Sequence, residues 1–502
     1  MMLLLALLSV VLGLSAVASK RTAQQRRLQA EDLMETMLGD FADKLRPLGR
    51  LELLESVTNK AMQYLAASTN DDESTKTLTQ RAKALQVVGE VRRERGQVGG
   101  AEQAFVAAYS TLLSRKEHGA QDVEVLKNLG SSAFWLGQSR LEQNDWKAAL
   151  EWFTKYREYS DKRSEIEPQN VDGWIEQSYA HNSLGTLAQM QGDLKTAEKE
   201  FLLSIGLKSK ALARQPENRT LSADLADSLS WHGGALEALG HLDDAMTAYR
   251  KEIEILRALR ASQSSDLAWT YSLAEALHRT AVLQRAQGAD DLALTNLREA
   301  AVLLTPIVHQ DPGNRLWQKA LAFIELDIAR NTSLQSSNEL TLHAFETAFS
   351  RLDSIITAGP NNVEWVRTRE LSRALLAREL LRNQRPSEGA DRVAEAISNL
   401  QIMLGKNKRN RETREHLGQA LLVSAEINKR LGNSVAAASN CRDAAQIIAS
   451  VVPGSADYKT LDPWVRANYC AGTPTNATSQ RAQLAQMRYR DRFYLASFTR
   501  NP

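Results

Sequence analysis

The sequence predicts an all-α fold: a solenoid, or superhelix, of about eight helical hairpins with capping helices at both ends. Three observations carry this: self-similarity every 48 residues, a row of small residues facing a row of large apolar ones, and turn and cap residues on the same spacing. Stepping by 48 from Ala101 gives Ala149, Ala197, Ala245, Ala293, Thr341, Gly389 and Ala437. Four residues on, the row reads Phe105, Phe153, Phe201, Tyr249, Leu297, Phe345, Val393, Cys441, and three further it reads Ala108, Tyr156, Ser204, Glu252, Ala300, Ala348, Ala396, Ala444. An upstream row holds only small residues: Gly89, Gly137, Gly185, Gly233, Ala281, Ala329, Ala377, Ala425.

Each row has a physical task. Small residues in both helices let the backbones approach, and the large apolar residue a turn later fills the space this leaves. The row Gly96, Asn144, Gly192, Gly240, Gly288, Ser336, Gln384, Gly432 marks the turn inside each hairpin, where a positive φ ends the first helix. Between hairpins, Pro168, Pro216, Pro312 and Pro360 stop the second helix. Two residues after each comes Asn170, Asn218, Asn314 or Asn362, with Asp266 and Asn410 on the same row, to accept from the free N–H groups that open the next helix.

The pattern Leu184, Gly185, Gly192, Ala197, Phe201 and Pro216 resembles the tetratricopeptide repeat, and the resemblance runs over residues 79–452. It implies a right-handed α-solenoid with a concave face lined by the first helix of each hairpin. The unit departs from the family in length, being 48 residues where the family unit has about 34. The added residues lengthen both helices, to about 20 residues and about 30 Å each.

In chain order, residues 1–19 carry no charge and are followed by Lys20, Arg21, Arg26 and Arg27, which reads as a signal peptide or a membrane anchor. Residues 20–68 read as juxtamembrane or N-capping helices: Leu33, Met37, Leu38 and Phe41 share one helical face, Pro47 interrupts, and Leu51 to Leu65 forms a second amphipathic helix. The stretch Glu31 to Asp40 with Lys44 to Leu51 resembles the segment after the span in bacterial one-span receptors that carry such repeats outside the cell and an output domain inside. That resemblance implies the sensory half without its output domain. Residues 69–78 are polar and read as a linker, and residues 453–502 leave the spacing and read as a C-terminal cap with a last helix from Ala482 to Phe498.

Chemistry-bearing motifs are sparse. A formal charge of +2 argues against a general polyanion binder, so no nucleic acid is expected. The histidines never pair three or four apart on one helix, and there is no phosphate loop, nucleophile elbow or Cys-x-x-Cys. No catalytic residue, metal or cofactor is therefore assigned. Cys441 and Cys470 fall on neighbouring helical segments and form a candidate disulfide if the array lies outside the cytoplasm. Trp269, Trp317 and Trp365 share one row, with Trp174 a residue out of register; wedging between repeats is the simplest role for them, an exposed aromatic ladder the alternative.

Carried over from the family, the groove positions are Phe134, Gln138, Leu141, Asn182, Thr186, Gln189, Ser230 and Glu237 in the first half and Arg285, Arg330, Arg378, Arg382, Lys429 and Arg430 in the second. The early set is mixed and the late set basic, which suits acidic peptide or protein termini or else a solvated charged face. The reading is a non-catalytic protein-interaction module, membrane-anchored or exported, with its array on the periplasmic or extracytoplasmic side, the cytoplasmic side being the alternative that the basic flank at Lys20 to Arg27 favours. It would bind a partner protein or peptide as the sensory part of a signalling system. A structural scaffold for an envelope complex is the alternative, and an enzyme built across repeats a remoter one.

Overall fold

The structure is a computed structural model, and it describes Lys60 and residues 75–490 apart from 95, 118–121, 264–265, 336–338, 358–362, 409, 454, 456 and 488. The expectations for residues 1–19 and, Lys60 aside, 20–68 lie outside the described residues. The described chain is helical, without a strand. The helices in order are α1 (Thr75–Glu94), α2 (Val98–Glu117), α3 (Val123–Glu142), α4 (Trp146–Ile166), α5 (Val171–Gln191), α6 (Leu194–Leu212), α7 (Arg219–Ala238), α8 (Leu242–Ser262) and α9 (Leu267–Ala286). They continue as α10 (Asp290–Gln310), α11 (Arg315–Gln335), α12 (Glu339–Thr357), α13 (Val363–Arg382), α14 (Pro386–Lys406), α15 (Arg411–Arg430), α16 (Ser434–Ala449), α17 (Tyr458–Cys470) and α18 (Thr478–Gln486). The polar stretch read as a linker to residue 78 is already helical from Thr75, because its Thr and Lys residues carry no breaker.

First helices begin at 75, 123, 171, 219, 267, 315, 363 and 411, a constant step of 48 residues. The caps explain the constancy. The side chains of Asp122, Asn170, Asn218, Asp266, Asn314 and Asn410 each accept from a backbone N–H in the first turn of the helix they precede, as Asn410 Oδ1 does from Thr413 N at 2.7 Å. At the other end, Gly96, Asn144, Gly192, Gly240, Gly288, Gln384 and Gly432 all have φ between 60° and 82°. That left-handed residue closes every described turn between the two helices of a hairpin.

Packing follows the small-facing-large rows. Gly137 sits against the Phe153 ring and Gly233 against the Tyr249 ring so closely that a Cβ at either glycine would overlap the ring. The rings of Phe105, Phe153, Phe201, Phe345 and Tyr249 are accordingly among the largest fully buried side chains. Each removes on the order of 2 kcal/mol of apolar surface from water, which fixes the depth at which paired helices meet.

The described residues divide into two compact units, those up to 193 with 206–214, and 194–205 with those from 215 on. In the first unit α1 pairs with α2 and α3 with α4, around Phe105, Leu112, Leu129 and Leu136. In the second unit α7 pairs with α8, α9 with α10, α11 with α12, α13 with α14 and α15 with α16. First helices also touch one another directly, α1 with α3, α9 with α11 and α13 with α15, making an inner layer. Trp269 and Trp317 lie half-buried against the core around Leu273 and Leu304, Trp365 lies against Leu352 and Ile356, and Trp174 is buried with its Nε1 donating to the Pro168 carbonyl at 3.1 Å.

The C-terminal segment packs α17 on α16 and α15, and Cys441 is joined to Cys470, with Cα atoms 5.4 Å apart. Its last helix is shorter than the sequence suggests. It ends at Gln486 and caps at Met487, and residues 491–498 lie outside the described residues. The same segment also reaches α7 and α9 within the second unit. The Tyr458 hydroxyl donates to Glu237 Oε1 at 3.0 Å, Lys459 Nζ lies 2.7 Å from that oxygen, and Arg490 N donates to the Ala286 carbonyl at 2.7 Å. Among the described residues no helix is long and apolar enough to cross a membrane.

Candidate functional site

The first unit carries a recess of about 440 Å³ between the first helices α3 and α5, floored by α4. Five of the eight groove positions read from the early repeats line it: Phe134, Gln138 and Leu141 from α3, Asn182 and Thr186 from α5, whereas Ser230 and Glu237 lie on α7 in the second unit. Gln189 lies one turn beyond Thr186 on α5 and does not line it; its Oε1 is buried without a partner. These side chains converge because residues three and four apart share one helical face, and α3 and α5 present equivalent faces 48 residues apart. The six positions on α3 and α5 are half-buried.

The floor depends on one departure from the repeat. In the row where five of the eight repeats place alanine, α4 has Tyr156. Gly130 makes room for its ring, since a Cβ there would stand 3.3 Å from Tyr156 Cδ2. The Tyr156 hydroxyl donates to Glu176 Oε2 on α5 at 2.7 Å. Burial, joined by the charge and the hydrogen bond of Glu176, pushes the phenol well above its usual range, so Tyr156 remains a donor at any ordinary pH. Phe134 completes the wall, with its ring centroid 5.7 Å from that of Tyr156 and 5.0 Å from that of Trp135. Neither Tyr156 nor Glu176 was among the groove positions read from sequence. The signal that points to them is the row itself, where an aromatic hydroxyl replaces alanine in one copy.

The late, basic set is placed differently. Arg285 and Arg330 are buried and donate from Nη1 to Asp327 Oδ1 at 2.7 and 3.0 Å, and His278 Nε2 meets the other Asp327 oxygen at 2.8 Å. Burial pushes the Asp327 carboxyl upward, but Arg285, the His278 hydrogen bond and Arg330 together hold it well below the usual range. Arg378 Nε meets Glu426 Oε2 at 3.0 Å, joining the same row of adjacent repeats. Arg382 donates to the Ser333 carbonyl at 2.7 Å and lies 3.8 Å from Glu379. Lys429 and Arg430 are exposed in the last turn of α15. The basic groove read from sequence is thus largely neutralised: Arg285 and Arg378 tie first helices together through carboxylates 42 and 48 residues away, Arg330 pairs with Asp327 on its own helix, and Arg382 reaches the Ser333 carbonyl.

No family model matches the sequence, and no curated protein does. Solved structures do match. The apo form of RapI aligns with a TM-score of 0.54 at 12% identity, covering 84% of this chain and 99% of that one. Aspartyl phosphate phosphatase F from Bacillus subtilis aligns at 0.48 and 10% identity over 83% and 92% of the two chains. A tetratricopeptide repeat protein from Parabacteroides merdae aligns at 0.35 and 13% identity over 67% and 98%. With eighteen described α-helices, a constant 48-residue step and a fold similar to that of RapI, the chain has a tetratricopeptide-like helical-repeat fold with an enlarged unit.

Proposed function

We propose that the chain is a non-catalytic protein-interaction module that docks a segment of a partner protein on the first-helix face of its first unit. One observation carries the reading: five groove positions read from sequence line a single recess with half-buried aromatic rings and amide groups. Such a surface suits a peptide, because rings bury apolar side chains while the Gln138 amide can bond its backbone. A preformed helical frame takes up the segment with little ordering cost of its own. No group of three or more His, Cys, Asp or Glu suited to a metal occurs among the described residues. The Cys441–Cys470 pairing supports work in an oxidising compartment, with residues 1–19 as the export signal or anchor. The sensory role and the envelope scaffold both remain proposals of this kind; a topology reporter at the C-terminus tests the compartment they share.

The test is selection of displayed random 12-residue peptides on the immobilised full chain. Recovered peptides should lose at least tenfold in affinity on Phe134→Ala or Asn182→Ala, about 1.4 kcal/mol. Peptides that ignore both substitutions would place docking elsewhere.

A further inference from the structure

We propose that the α3–α5 recess takes a cationic side chain, arginine or lysine, from the docked segment, with Glu176 as its counter-charge, the Phe134 ring as its wall and the Tyr156 ring in its floor. This rests on the docking reading above and adds the chemistry of the anchor. Glu176 is half-buried at the edge of the recess, accepts from Tyr156 through one oxygen, and has no ion-pair partner among the described residues. A partly desolvated carboxylate without a cation beside it is a recognition group in search of one.

The aromatic faces of this unit support the same reading. Arg93 lies 5.1 Å over Trp135, Lys155 4.1 Å over Trp152, Lys208 5.2 Å over Tyr179 and Lys210 3.6 Å over Trp174. Ring faces here are thus regularly used to hold cations. The rings of Phe134 and Tyr156, which face the recess, carry no lysine or arginine among the described residues. Arg163, buried two turns along α4, influences Tyr156 but is not paired with Glu176. A guanidinium or ammonium entering from solvent meets the Phe134 ring, the Tyr156 ring beneath it, a carboxylate that accepts from Tyr156, and the Gln138 amide for the adjoining backbone.

The experiment uses the peptides recovered by the selection above. Each arginine in a recovered peptide is replaced by citrulline, which keeps the shape and removes the charge, and each lysine by norleucine. The expected result is a preference for Arg or Lys at one peptide position, and about a tenfold loss for the neutral replacement. Glu176→Gln, which keeps an acceptor for Tyr156, should cause a similar loss for the charged peptide and almost none for the neutral one. Peptides sensitive to Phe134→Ala but indifferent to the neutral replacement would overturn the cationic anchor and leave docking standing. Recovery of no peptide, or only of peptides indifferent to Phe134→Ala, would overturn both.

Discussion

At the scale of single residues, polar chemistry enters this chain where one copy of the repeat departs from alanine. In the row Ala108, Tyr156, Ser204, Glu252, Ala300, each departure finds a partner on the first helix that follows. Tyr156 meets Glu176 at 2.7 Å, Ser204 meets Ser228 at 3.4 Å, and Glu252 meets Arg279 at 2.5 Å. Glu252 shows the cost. It is 2% exposed, its Oε2 has no partner, and burial pushes its carboxyl from 4.5 to about 7 against the pull of Arg279. The folded chain therefore holds an extra proton between those two values, and stability falls as pH rises from about 4.5 through about 7. Glu252→Gln, whose side-chain oxygen can still accept from Arg279, should flatten that fall and raise stability at about pH 8 by roughly 2 to 3 kcal/mol. Urea unfolding at several pH values measures it; an unchanged slope would show that Glu252 ionises without penalty.

At the scale of the element, each hairpin is closed by a left-handed residue, and the residues there differ in fitness. Five of the seven described turn positions are glycine, while Asn144 and Gln384 hold φ of 61° and 60°. A side chain beyond Cβ strains that conformation by about 1 to 2 kcal/mol, less for Asn than for Gln. Gln384 is exposed, and its N–H bond to the Leu381 carbonyl at 3.1 Å survives any substitution except proline. Gln384→Gly should therefore stabilise the α13–α14 hairpin by about 1 kcal/mol, part of the strain relief being offset by glycine's unfolded-state entropy. Gly432→Gln, at the same turn of the next hairpin, should cost a similar amount; equal melting temperatures for all three proteins would refute the strain argument. Turns and caps were legible in the sequence because each is decided within about four residues. The ion pairs were not, because Arg285 cannot announce that its carboxylate is Asp327, 42 residues on. The recess fell between these cases: its rim follows from helical periodicity, whereas Tyr156 and Glu176 meet only once α4 and α5 pack.

At the scale of the molecule, each unit uses its first-helix face differently. In the first unit the recess stays open to solvent, while in the second the chain's own C-terminal segment is bonded to Glu237 of α7. Tyr249, Tyr458 and Lys459 converge on that carboxylate at 2.9, 3.0 and 2.7 Å. Burial alone would raise the Glu237 carboxyl, yet Lys459, Tyr249 and Tyr458 together hold it below its usual value. The stability it contributes is present above the unfolded carboxylate range and is lost as pH falls through the folded value. Acid should therefore loosen residues 457–490 from α7 and α9 before the hairpins melt, since the hairpin cores hold by apolar contact. Hydrogen exchange at Leu461 and Ala467 as pH is lowered measures this, against Leu421 of α15 as an internal reference. Glu237→Ala should bring the same loosening at neutral pH, at about 2 kcal/mol rather than the full cost of a buried pair because the Lys459 side chain is 53% exposed. If protection at Leu461 falls only together with that at Leu421, the segment and the hairpins unfold as one body, and the contact on Glu237 stabilises the whole unit rather than the segment alone.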